Sequence, residues 1–179
     1  MAKFFDSLSD ALIRFVEKQQ MFFVASAPTE GRVNLSPKGM DVFRCIDAST
    51  VGYLDLTGSG NETSAHIQDD GRITIMMCSF EKEALILRMY GRGEIVYPGT
   101  PRWEELSPKF NILPGARQIV ICHIDSVQTS CGFGVPRYDF VEHRENLLKW
   151  AEKKGPEGLD EYRKTKNATS IDGAPTGLT

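Results

Sequence analysis

A mainly β chain, folded as an antiparallel β-barrel with helices attached at both ends, is what the sequence predicts. Three observations point to it. The segments "RVNLS", "DVFRCID", "TVGYLDL", "RITIMMC", "ALILRMYGRGEIVY" and "RQIVICHIDSV" are short and rich in β-branched or aromatic residues, with Gly, Pro and Asp between them. Few helices interrupt the series, which argues against a parallel βαβ sheet and for a barrel or sandwich. Helical spacing is confined mostly to the two ends of the chain.

Residues 1–20 read as an amphipathic helix: Phe5, Leu8, Leu12, Phe15 and Val16 keep helical spacing, and Asp6 or Ser7 can cap its start. "MFFVASAP" switches to a short apolar β run, closed by Pro28 and the Glu30-Gly31 turn. The strand series and its short helices fill residues 21–135. One such helix is expected from Glu62 towards Gln68, stopped by Asp70-Gly71, and another over "PRWEELS", where Pro101 suits a first helical turn. Beyond Pro136, Leu147, Leu148, Trp150 and Ala151, then Leu159 and Tyr162, recur at helical intervals. The closing "NATSIDGAPTGLT" is turn-rich and reads as an extended tail. No repeat or linker divides the chain, so residues 1–179 are expected to form one domain, with 136–179 supplying helices and tail.

The formal net charge of -3 and the scatter of Lys and Arg give no reason to expect nucleic acid or an anionic membrane as partner. The start lacks a continuous apolar stretch of signal-peptide length, and no window approaches a membrane span, so a cytoplasmic location is expected. Cys45, Cys78, Cys122 and Cys131 are widely spaced and read as buried free thiols. Asn167-Ala168-Thr169 matches a glycosylation sequon, which carries no weight without a secretion signal.

The chemical candidates are few. His66, His123 and His143 have no ligand spacing among them, so no metal site is expected. Neither G-x-S-x-G nor H-E-x-x-H occurs. The stretch "LTGSGNETSAH" (Leu56 to His66) fails as a Walker A loop, because Asn61-Glu62 stands where Lys-Ser or Lys-Thr belongs. It also fails as a dinucleotide fingerprint, whose third glycine is replaced by Thr63. Two readings stay open. Gly58 and Gly60 can form a turn with Asn61 capping a helix. Alternatively, the helix N-terminus, with Thr57, Ser59, Asn61, Thr63 and Ser64 around it, can receive an anion. The carboxylate of Glu62 opposes the second reading. A further polar cluster, "NLSPKG", brings Ser36 and the cation of Lys38 to the end of another β segment and favours it.

In order and spacing, "RVNLSPKG", "VGYLDLTGSGNETSAHI", "RITIMMCSF" and "LILRMYGRGEIV" resemble the pyridoxamine 5'-phosphate oxidase-like flavoproteins. "SCGFGVPRYDF" and "KNATSIDGAP" are similar to a branch known only as FMN-binding or oxidase-related. The resemblance covers nearly the whole chain and implies an FMN-binding split β-barrel, assembled as a homodimer with FMN between the subunits. It places Lys38 at the lysine ending the first binding strand, and Thr57 where the second strand runs along the flavin. Glu62 and Thr63 fall where the true oxidases carry an Arg-Lys pair on the phosphate, and Ile86 stands near a flavin-contacting glutamine. The segment with which the oxidases hold their vitamin substrate has no clear match. What is implied is therefore a relative of the oxidases rather than a working pyridoxamine phosphate oxidase.

The expected phosphate residues are Ser36, Lys38, Asn61, Thr63 and Ser64, with Thr57 beside the flavin. Met76, Met77 and Cys78 are candidates for the ring environment, Arg88 and Arg92 for extra charge, and Arg117 and Gln118 for reach across the dimer. Oxidoreductase chemistry on a small molecule would then come from the flavin, with no catalytic side chain required. Two other readings remain: a flavin- or haem-binding module without turnover, with His66 or His123 as the haem ligand to watch, and a dimeric interaction protein that has lost its cofactor.

Overall fold

The structure, a computed structural model, describes residues 2–178. Eight strands form one antiparallel sheet that curls into a half-barrel. They are β1 (Lys3–Phe5), β2 (Met21–Ser26), β3 (Asn34–Gly39), β4 (Phe43–Cys45), β5 (Thr50–Leu56), β6 (Arg72–Cys78), β7 (Ile86–Val96) and β8 (Ala116–Ser130). Their spatial order is β3-β2-β6-β7-β8-β5-β4. One edge of β8 pairs with β7, and the other is divided between β5 along its first half and β1 along its second.

Among the described residues four α-helices flank the sheet: α1 (Asp10–Glu17), α2 (Glu62–Asp69), α3 (Pro101–Leu106) and α4 (Asn146–Tyr162). The core is built where apolar residues alternate towards the concave side. Val24, Val51, Tyr53, Ile75, Leu87, Met89, Ile119 and Ile121 are fully buried there. Among the described residues no helix is long and apolar enough to cross a membrane.

Several boundaries differ from those expected. The first helix starts only at Asp10, capped by Ser9, whose Oγ accepts from Leu12 N at 3.4 Å. Asp6 and Ser7 do not cap it, because the preceding residues pair with β8 instead. Phe4 and Phe5 therefore lie on a strand that helical spacing cannot reveal. "DVFRCID" shrinks to three paired residues after Met40, which takes a positive φ of 71°. The last strand runs on through "QTS" because β7 offers partners as far as Ser130.

Residues 131–145 form no regular element, so the helical region after Pro136 begins only at Asn146. α4 is broken at Gly155 (φ 67°) and Pro156 into the two helical pieces that the sequence suggests. The tail is packed, not loose: Thr169 bridges to Pro175, and Thr176 is fully buried. The four cysteines are unpaired, but only Cys78 and Cys122 are buried, and Cys131 is exposed. Burial pushes the Cys122 thiol up to about 12 and the Cys45 thiol up to about 11, so both stay protonated at neutral pH.

Candidate functional site

A groove of about 1590 Å³ runs between β3, the end of β5, the Gly58–Asn61 turn, the segment around Tyr138–His143 and the tail at Thr169–Ile171. On the edge strand β3, alternation turns Asn34, Ser36 and Lys38 inward, while Leu35 and Pro37 face out. Pro37 is tolerated because an edge strand has no ladder partner on its outer side.

The floor of the groove is a buried charge cluster centred on Asp55. Lys38 Nζ lies 2.8 Å from Asp55 Oδ1 and over the Tyr53 ring, 5.0 Å from its centroid. Arg117 Nε and Gln118 Nε2 reach Asp55 Oδ2 at 2.7 and 2.9 Å. Neighbours on a regular strand point to opposite faces. Here the register slips, with Asp55 opposite Gln118 and Leu56 opposite Ala116, so Arg117 is the extra residue and both side chains meet one carboxylate.

Burial by itself would raise the Asp55 pKa. The charges of Lys38 and Arg117, with their hydrogen bonds, outweigh it and bring the group down to about 2. Two cations on one carboxylate leave the floor with a net positive charge. A folded-state pKa below the unfolded value of 3.8 stabilises the protein above that value, and the contribution is lost as pH falls through about 2. The stability gap between wild type and Asp55→Asn should therefore narrow by about 2 kcal/mol from about pH 5 to about pH 2. Urea unfolding across that range measures it, and a gap that does not move with pH would contradict the assignment.

Asp55 also sets the polarity of its neighbours. An ionised carboxylate only accepts, so Gln118 must turn its amide nitrogen towards it. That nitrogen also donates to Asn61 Oδ1 at 2.8 Å, which leaves Asn61 Nδ2 pointing elsewhere. Asn61 is 2% exposed, and its Nδ2 has no hydrogen-bond partner. A buried donor with no acceptor is costly unless something supplies one. Asn61 is also the N-cap of α2, yet it makes no side-chain capping bond.

The turn before α2 is held from a distance. Arg117 Nη2 donates to Gly60 O at 2.8 Å, and Asn167 Nδ2 donates to Gly58 O at 3.0 Å. Asn167 Oδ1 in turn accepts from Arg117 Nη1 at 2.9 Å. Thr57 Oγ1 donates to Gly115 O and accepts from Arg163 Nε at 3.0 Å.

Of the residues expected at a cofactor, Ser36, Lys38, Asn61, Thr63 and Arg117 line this groove. Thr63 Oγ1 accepts from Asn34 Nδ2, whose Oδ1 accepts from Ser36 Oγ, so β3 and α2 share one polar wall. The others stand elsewhere. Thr57 is buried against Gly115, and Gln118 lies beneath Asp55 and Asn61. The Ser64 hydroxyl donates to Thr176 O at 2.6 Å. Met77 and Cys78 are buried in β6, and Arg88 reaches Ser130 Oγ at 3.3 Å. The histidines are apart: His66 meets Ser26 Oγ, His123 meets Glu94, and His143 Nδ1 lies 3.4 Å from Met40 N. Among the described residues no group of three or more His, Cys, Asp or Glu could hold a metal ion. Sequence reasoning does not place Asp55 or Asn167 at the site. A lone acidic residue inside the apolar "VGYLDL" is the signal that could have found the first; the second sits in a sequon and carries none.

A sheet open between β3 and β4, with a polar groove beside the strand–turn–helix after β5, is a split β-barrel of the pyridoxamine 5'-phosphate oxidase type. The family model described as pyridoxamine 5'-phosphate oxidase matches residues 8–131, and the chain belongs to that family. A curated relative, the pyridoxamine 5'-phosphate oxidase family protein ustO of Aspergillus flavus, is 39% identical over an alignment 193 positions long, gaps included, that covers 98% of this chain and 78% of the relative. Among solved structures, HupZ of Group A Streptococcus superposes with a TM-score of 0.51 at 21% identity, covering 67% of this chain and 91% of HupZ. The FAD binding protein of Mycobacterium smegmatis gives 0.50 at 11% identity, covering 69% and 93%. These two likenesses concern the fold alone.

Proposed function

We propose that this protein binds FMN in the groove, as a homodimer with the cofactor between subunits, and that it is a cytoplasmic oxidoreductase acting on a small molecule. The observation that carries the reading is Asn61 Nδ2, a buried donor without a partner, at the uncapped N-terminus of α2 and on the groove that Lys38 also lines. An uncapped helix start, a free amide donor and a net positive floor together suit a phosphate. Membership of the family supports a flavin, and a neighbour of the same fold is a FAD binding protein.

Lys38, Asn61, Thr63 and Ser36 would hold the phosphate end. Arg117 and Gln118 act from beneath, holding Gly60 and Asn61 in place. When bound, the flavin supplies the redox chemistry, and the protein supplies orientation and a charged floor. Lys38→Ala should lower FMN affinity about tenfold or more, the size of one charge-assisted hydrogen bond. Titration of flavin fluorescence reads this directly. A purified protein that stays colourless and takes up no FMN would overturn the reading; unchanged affinity in Lys38→Ala would remove Lys38 from the site.

A further inference from the structure

The phosphate reading leaves one charge unexplained. Glu62 is the first residue of α2, the end at which an anion would sit, and like charges there oppose binding. Both oxygens of its carboxylate accept from one backbone donor in the tail, Ile171 N, at 3.2 and 3.0 Å. That donor is presented by a tight turn: Gly173 N donates to Ser170 O at 3.0 Å, Ala174 N donates to Ser170 Oγ at 3.1 Å, and Gly173 has a φ of 84°. Gly60 leaves room for the arrangement, since a Cβ there would come within 3.2 Å of Glu62 Oε1. Beside it, Asn61 Nδ2 stays buried without a partner, although a carboxylate able to accept from it is only one residue away.

We propose that the C-terminal turn holds the Glu62 carboxylate on Ile171 N, and so keeps the start of α2 open to a phosphate dianion. Glu62 is then a specificity-determining residue, and the 170–173 turn is its positioning element. Released, the same carboxylate would take the Asn61 amide and the first N–H groups of α2, and would compete with the ligand's phosphate. The inference rests on the FMN reading above and concerns only the phosphate, not the flavin ring.

The test compares FMN with riboflavin, which has the same ring and no phosphate. Ile171 is the second residue of the turn closed by Gly173 N on Ser170 O, the position proline favours in type I and II turns, so Ile171→Pro removes the N–H. FMN affinity should fall about tenfold while riboflavin affinity holds, and adding Glu62→Gln to Ile171→Pro should restore FMN binding. Glu62→Gln alone should bind FMN at least as tightly as wild type.

Among the variants, three results would overturn the inference: unchanged FMN affinity in Ile171→Pro, an equal loss for both flavins, or a loss that Glu62→Gln does not rescue. The equal loss is what a merely structural tail would give. A wild type that binds neither flavin overturns the FMN reading itself, and the inference with it. A wild type that binds both flavins equally keeps flavin binding but overturns the phosphate site, and the inference with it.

Discussion

Arg117→Met is expected to destabilise the fold by about 3–5 kcal/mol, the range for removing one partner of a buried ion pair. The guanidinium is 5% exposed and uses all three nitrogens: Nε on Asp55, Nη1 on Asn167 and Nη2 on Gly60 O. Methionine fills much of the same space but leaves the buried Asn167 Oδ1 and the half-buried Gly60 O without donors, and Asp55 with one cation fewer. For a chain of this length the loss corresponds to a fall in melting temperature of roughly 6–20 °C. Arg117→Lys should recover only part of it, since an ammonium keeps the charge but loses the planar fork that spans three acceptors. Adding Asp55→Asn to Arg117→Met should cost less than the sum of the two single changes, because each single change already removes the Arg117–Asp55 ion pair. Urea unfolding of the four proteins tests this. Strict additivity, or a loss under about 1 kcal/mol for Arg117→Met, would mean the network does not hold the turn.

Gly91→Ala is the second large effect. Gly91 sits at the bulge where β7 slips register against β8, opposite Ile124. A Cβ at this position would overlap the carbonyl oxygen and carbon of His123 and crowd Cys122 Sγ. A side chain can rotate away from such a clash, but a strand carbonyl in the middle of a sheet has nowhere to go. The expected loss is about 3 kcal/mol or more, seen as a large fall in the urea midpoint or as loss of soluble protein. Gly134→Ala is the control, because nothing lies within 4 Å of its Cβ, and it should stay within about 0.5 kcal/mol of wild type. Equal behaviour of the two variants would show that the close approach at Gly91 is not needed.

Much of the fold was legible because its signals are local. Alternation in "RITIMMC" and the β-branched and aromatic residues of "TVGYLDL" mark strands whatever they pair with, and "GSGNETSAH" marks a turn into a helix. Lys38 and Asn61 were legible as candidates for the same reason: each stands beside residues suited to a turn or a strand end. The misplacements follow from pairing. Lys3–Phe5 is a strand only because β8 offers it an edge, and Ser64 faces the tail because Thr176 O lies there.

The roles of Asp55, Asn167 and Glu62 are illegible for a stronger reason. Each depends on atoms brought within about 3 Å by closure of the whole chain, and hydrogen bonds weaken steeply beyond that distance. Asn167 meets Gly58 across more than a hundred residues, and Glu62 meets a backbone N–H, which no side-chain pattern announces. Residue order thus specified the strands, the helices and the family, since periodicity and turn chemistry act between neighbours. Which carboxylate faces which cation, and which buried amide donor is left without a partner, came from the folded chain, because those energies are set by contact distance and not by separation along the sequence.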